Sequence, residues 1–153
     1  MLSRAAIISL LLLFLLPSAA WSGITGLTKN GDLKFGNLLT PGSSGTVTVT
    51  QAGARSSTAG ITLRSGSTVT AASFTVTGSN NSSYTITLPA NNTVVISSGG
   101  NTFTLTNFTC SAPLDDKLGA GNSSLTFTVG ATAVINSNPA PGSYSGSFNI
   151  TVN

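Results

Sequence analysis

The chain contains no histidine, no glutamate and a single cysteine, and only 6% of its 153 residues carry charge. Each absence excludes something. Histidine is the commonest proton carrier near neutral pH, so a Ser-His-Asp site is impossible. Ser111 with Lys117 could be written down as a Ser-Lys pair, but serine is so abundant here that proximity to a lysine carries no information. The carboxylate pair, Asp115-Asp116, sits in an extended stretch where neighbouring side chains point apart, and calcium would need further oxygen ligands. Gly99-Gly100 and Gly119-Ala120-Gly121 are not followed by Lys-Ser/Thr, so no phosphate-cradling loop is indicated. The expectation is a non-enzyme with no metal and no cofactor.

Cys110, being alone, excludes an internal disulfide. In its alternating run it reads as a small buried hydrophobe, with an intermolecular disulfide as the alternative. Stability must then come from packing and strand pairing. The charge content compares with about 25% in ordinary soluble domains, while serine and threonine make up roughly 30% of the chain. Beyond residue 22 the charges are Lys29, Lys34, Arg55, Arg64 and Lys117 against Asp32, Asp115 and Asp116. So weak a balance is no footprint for nucleic acid or an anionic membrane.

Residues 1–22 have the make-up of a secretory signal peptide: Arg4 in a basic start, an apolar stretch from Ala5 to Leu16, and Pro17 ending it. Cleavage fits after Ala20 or after Ser22. The apolar stretch is too short to span a bilayer, and no later run is long enough to be a transmembrane segment. The expectation is an exported protein, periplasmic in transit and then at the cell surface or outside it, with residues 23–153 as a single domain.

Apolar and hydroxyl residues alternate with period two through most of that domain, as strands with one buried and one wet face do. Strands are predicted over Thr46–Thr50, Gly60–Arg64, Ser73–Thr77, Tyr84–Leu88 and Thr102–Cys110. The parity of the last switches from Phe103 and Leu105 to Phe108 and Cys110, which predicts a bulge near Asn107. Leu125, Phe127 and Val129 mark another strand, Ala133 and Ile135 a short separate piece. Tyr144, Gly146, Phe148, Ile150 and Val152 mark the most regular strand, expected at the centre of the core. Asn30-Gly31 predicts a tight hairpin, and Ser111–Gly121 the most exposed loop. Turn clusters at short intervals favour an all-β, antiparallel β-sandwich of immunoglobulin-like type. Rows of outward threonines could form a flat hydroxyl array of the ice-binding kind; high β-propensity on a wet face accounts for them without function.

Soluble sandwiches usually blunt their edge strands with charge or proline. This chain has almost no charge to place there, which suits assembly by strand addition.

The order of Leu33-Lys34-Phe35-Gly36, Thr40-Pro41-Gly42, Phe74-Thr75-Val76-Thr77-Gly78 and Tyr84-Thr85-Ile86-Thr87-Leu88-Pro89 resembles the bacterial secreted family of domain of unknown function 4402. The ending, Ala140-Pro141-Gly142-Ser143-Tyr144-Ser145-Gly146-Ser147-Phe148-Asn149-Ile150-Thr151-Val152, is similar to the terminal strand of chaperone-usher pilins and spore-coat-type adhesins. The resemblance implies an incomplete, pilin-like sandwich serving as a structural subunit or adhesin of a surface fibre. Its missing strand would be lent first by a periplasmic chaperone, at an outer-membrane usher, and then by a like or related subunit through strand exchange. Ile24 and Leu27 would be the donor side chains, and Tyr144, Gly146, Phe148, Ile150 and Val152 would form the accepting strand. The alternative is a self-complete secreted binding module using its end loops, Ser111–Gly121 first among them.

Overall fold

The computed structural model describes residues 23–153 apart from residues 41, 59 and 122; the signal peptide expected over residues 1–22, with its two candidate cleavage sites, lies outside the described residues. The fold is all-β and antiparallel. In chain order the strands are β1 (Ile24–Gly31), β2 (Leu38–Leu39), β3 (Gly45–Val49), β4 (Arg55–Ser57), β5 (Thr62–Leu63), β6 (Ala72–Gly78), β7 (Ser83–Thr87), β8 (Val94–Ser98), β9 (Asn101–Cys110), β10 (Asp115–Lys117), β11 (Ser124–Ile135) and β12 (Thr151–Val152).

The organising element is β11, in which the two separately predicted pieces fuse into one strand of 12 residues. Val129 pairs with both Ala72 and Cys110, and Ala133 with both Val47 and Leu105. A strand has two edges, so β6 and β3 must follow one another along one edge of β11 while β9 takes the other. Outside these, β1 flanks β6, β4 flanks β3 and β8 flanks β9. A second layer holds β10-β7-β12, and β2 pairs with β5. Alternation then does what the sequence implies: Phe74, Val76, Phe127 and Val129 of the first layer meet Tyr84 and Ile86 of the second, a sandwich-like core. A second cluster gathers Val47, Phe103, Leu105, Ala133 and Ile135, and Phe108 and Phe148 pack against both clusters.

The predicted bulge is present. The β9–β11 register slips between Gly130 and Thr132, and Asn107 takes a φ of 50°. Its amide is held by the Asn91 side chain at 2.8 Å.

Other expectations are corrected. Asn30-Gly31 makes no hairpin: β1 runs on through it beside β6, and neither residue has the positive φ that a type I′ turn demands. That turn lies at Gly99-Gly100, with φ of 55° and 87°, joining β9 to the unpredicted β8. The Ser111–Gly121 stretch is mostly exposed but not simply a loop, since β10 pairs with β7 and Leu118 is buried. The C-terminal run is neither the most regular strand nor central. Only Thr151 and Val152 join a ladder, Tyr144, Phe148, Ile150 and Val152 are half-buried, and Gly146 is exposed.

Candidate functional site: a groove beside the C-terminal segment

The C-terminal segment is tied to the first layer at one end and to the second layer at the other. Ser145 exchanges backbone hydrogen bonds with Ser97 of β8 at 2.8 and 3.1 Å, and Asn153 with Thr85 of β7 at 2.8 and 3.1 Å. Between these ties, from Gly146 to Ile150, no amide or carbonyl is bonded to another backbone group among the described residues. Gly146, Ser147 and Asn149 are exposed while Phe148 and Ile150 are half-buried, so the run carries core side chains on a backbone left open to water or to a further strand. Phe148 is nonetheless anchored, its ring 6.4 Å from Phe74 and 5.4 Å from Phe108.

Gly146 has a different role from the one its place in the alternation suggests. A Cβ there would strike the Val95 carbonyl of β8, so glycine lets the segment lie flat against that strand. Tyr144 is fixed at the head of the run, its ring stacked on Phe103 at 4.1 Å and its hydroxyl donating to the Ala140 carbonyl at 2.8 Å.

Beside Tyr144 opens a groove of about 400 Å³. One wall is the Phe35–Thr40 segment and the other is Pro139–Tyr144. Val47, Phe103, Ala133 and Ile135, all residues of the second core cluster, form its floor. A core floor open to a groove means that the sandwich is not closed there. Among the described residues no charged side chain lines it.

The lip carrying Phe35 is held from behind. Lys34 and Thr70 exchange backbone bonds at 2.8 and 3.1 Å, and Leu38 and Leu39 pair with Leu63 and Thr62. The Arg55 guanidinium donates to the carbonyls of Phe35 (2.8 Å), Asn37 (3.2 Å) and Arg64 (2.7 Å). In the sequence Arg55 counts only toward the charge balance, and an arginine between two alternating runs is the one available signal of this role.

The donor residues are not free. Ile24 and Leu27 belong to β1, where Ile24 pairs with Gly78 and Leu27 with Val76. Ile24 packs on the first cluster, as do Phe148, Ile150 and Val152. Leu27 is 37% exposed although it pairs with the fully buried Val76. The structure thus brings the accepting residues together along one seam but places the expected donor strand in the domain's own sheet.

Elsewhere the surface offers less. Asp115, Asp116 and Lys117 border a shallow depression beside Tyr84. Burial, and secondarily the charges of Asp116 and Cys110, push the Tyr84 hydroxyl pKa up. Burial likewise raises the Cys110 thiol, which is half-buried against the first cluster. No group of three or more metal-binding side chains occurs among the described residues. The threonine face is bonded to itself, Thr75 to Thr126 and Thr48 to Thr132, both at 2.8 Å.

A model of the family described as domain of unknown function 4402 matches residues 26–153. The chain belongs to that family. The match begins inside β1 and runs through β12, so the groove and both its walls are part of the family domain. No curated protein and no solved structure matches the chain. Among the described residues no helix is long and apolar enough to cross a membrane.

Proposed function

We propose that this family member is a non-catalytic structural subunit or adhesin of a bacterial surface fibre, assembled by β-strand complementation. The observation that carries the reading is the unpaired backbone from Gly146 to Ile150, which follows directly on the Pro139–Tyr144 wall of a groove with a core floor. An added strand supplies what such an edge lacks, main-chain hydrogen bonds along its length and apolar side chains at every second position. A neutral alternating strand is the matching chemistry, because a charge placed on that floor would be desolvated without a partner. In this scheme a periplasmic chaperone fills the groove first, an outer-membrane usher receives the complex, and a like or related subunit replaces the chaperone at the surface.

The donor differs from the one expected from the sequence. Since residues through Thr28 pair with β6, the inserted strand comes from outside the Ile24–Val152 domain, and removing them takes away a strand of its own sheet.

Hydrogen exchange on the mature protein tests this reading. The amides of Gly146–Ile150 should exchange rapidly in the isolated protein. They should gain protection, with a rise in Tm, when a neutral peptide of about ten residues alternating valine with threonine is added. Slow exchange in the isolated protein, or no response to this peptide, overturns it.

A further inference from the structure

We propose that Arg55 is the positioning residue of the groove: its guanidinium latches the Phe35–Leu39 lip at the width that admits a strand. The inference rests on the groove being a strand-accepting site. It is carried by the number and placement of the Arg55 bonds.

Three carbonyls from two separate stretches of chain converge on one guanidinium, those of Phe35 and Asn37 on the lip and that of Arg64 just after β5. No carboxylate forms an ion pair with Arg55 among the described residues; the recorded salt bridge joins Lys29 to Asp32. The charge is spent on backbone oxygens instead. Bonds from a charged donor are about twice as strong as neutral ones, and a planar fork can span carbonyls that a point charge cannot.

The surroundings are shaped to this contact. Gly36, with a φ of 70°, lies against the guanidinium, and a Cβ there would come within 2.5 Å of Arg55 Nη1 and 2.7 Å of Ser67 Oγ. Ser67 Oγ accepts from the Asn37 amide at 2.9 Å and donates to the Arg64 carbonyl at 3.3 Å. The Asn37 carbonyl also accepts from the Arg64 amide at 3.1 Å. Lip, β5 and Arg55 thus form one closed network at the back of the groove wall. The two-residue strands β2 and β5 supply little pairing of their own. Without the guanidinium the lip can fall inward onto Tyr144 or swing away, and either movement changes the width a strand meets.

The latch differs from a general stabilising role in where its loss is felt. In Arg55→Lys and Arg55→Met the amides of Asn37 and Arg64, which donate to Ser67 Oγ and to the Asn37 carbonyl, should exchange about tenfold faster or more, while those of β6 and β11 stay as in the wild type. Affinity for the alternating valine–threonine peptide should fall by about tenfold or more in the same variants. Should Arg55→Met fail to fold, Arg55→Lys carries the test, since it keeps the charge and the stem but not the fork. Wild-type exchange at Asn37 and Arg64 in Arg55→Lys overturns the latch, as does wild-type peptide affinity in a variant whose lip has loosened. If the wild type itself binds no peptide, the strand-accepting reading falls, and the latch is then decided on exchange alone: protection lost only at the lip upholds it, and protection kept refutes it.

Discussion

Phe127 and Phe148 touch the same ring, that of Phe74, at 5.6 and 6.4 Å, and yet Phe127 is 1% exposed while Phe148 is only half-buried. Residue type does not separate them. The difference lies in the strands that carry them. Phe127 lies in the β11–β6 ladder, and from Val129 onward β9 pairs along the other edge of β11, so the strand that carries Phe127 has neighbours on both sides. The segment carrying Phe148 is paired only at its ends, Ser145 with β8 and Thr151–Val152 with β7, and no strand pairs with it from Gly146 to Ile150 among the described residues. An apolar side chain on an unpaired stretch is not held between flanking strands. The comparison teaches that closure of this sandwich is limited by backbone pairing and not by a shortage of hydrophobic residues.

Truncation should expose the contrast first. Phe127→Ala removes a fully buried ring from a closed cluster and should cost about 3–5 kcal/mol in urea unfolding. Phe148→Ala should cost about half as much in the isolated protein, because much of its surface is already wet. An equal loss at the two positions would mean that the groove side is as closed as the other.

Alkaline pH probes the closed side alone. Folding raises the pKa of the Cys110 thiol above its ordinary value near 9.0 and that of the Tyr84 hydroxyl above 10.0, mainly by burial. In each case the unfolded chain loses its proton first, so stability is intact below the unfolded pKa and is lost as pH rises through the folded one. Tm should fall steadily from about pH 9 upward, and Cys110→Ala should flatten the first part of that fall. A Tm independent of pH between 9 and 11 would show that neither group is desolvated. The smallest effect is expected at Asn149→Ala. Asn149 is exposed, and the change should stay within about 0.5 kcal/mol, checked by the same urea titration.

Much of this was legible beforehand, and the reasons are local. Period-two alternation told which face of a strand is buried, and it did so correctly at Val47 and Val49, at Phe74 and Val76, and at Tyr84 and Ile86. The parity change across Asn107 located the bulge, because an extra residue in a strand must shift every later side chain to the other face. The scarcity of charge, and the lone cysteine that forbids an internal disulfide, are likewise statements that need no coordinates.

Alternation is silent, however, on what lies beside a strand. Tyr144 to Val152 alternates as cleanly as any run in the chain, yet whether its edges are paired depends on segments far away in sequence, Ser97 for Ser145 and Thr87 for Thr151. Asn30-Gly31 has the composition of a tight turn, but β6 lies alongside and pairs through it, so tertiary contact overrides the local preference. Arg55 belongs to the same class. Its three carbonyl partners come together only because β2, β4 and β5 meet at the back of the groove. The sequence by itself determined the central strands around Val47, Phe74, Tyr84, Phe103 and Phe127, their buried faces, and the want of charge to guard the edges. Only the tertiary structure decided which edge stays open, because backbone pairing is a long-range property that no local pattern encodes.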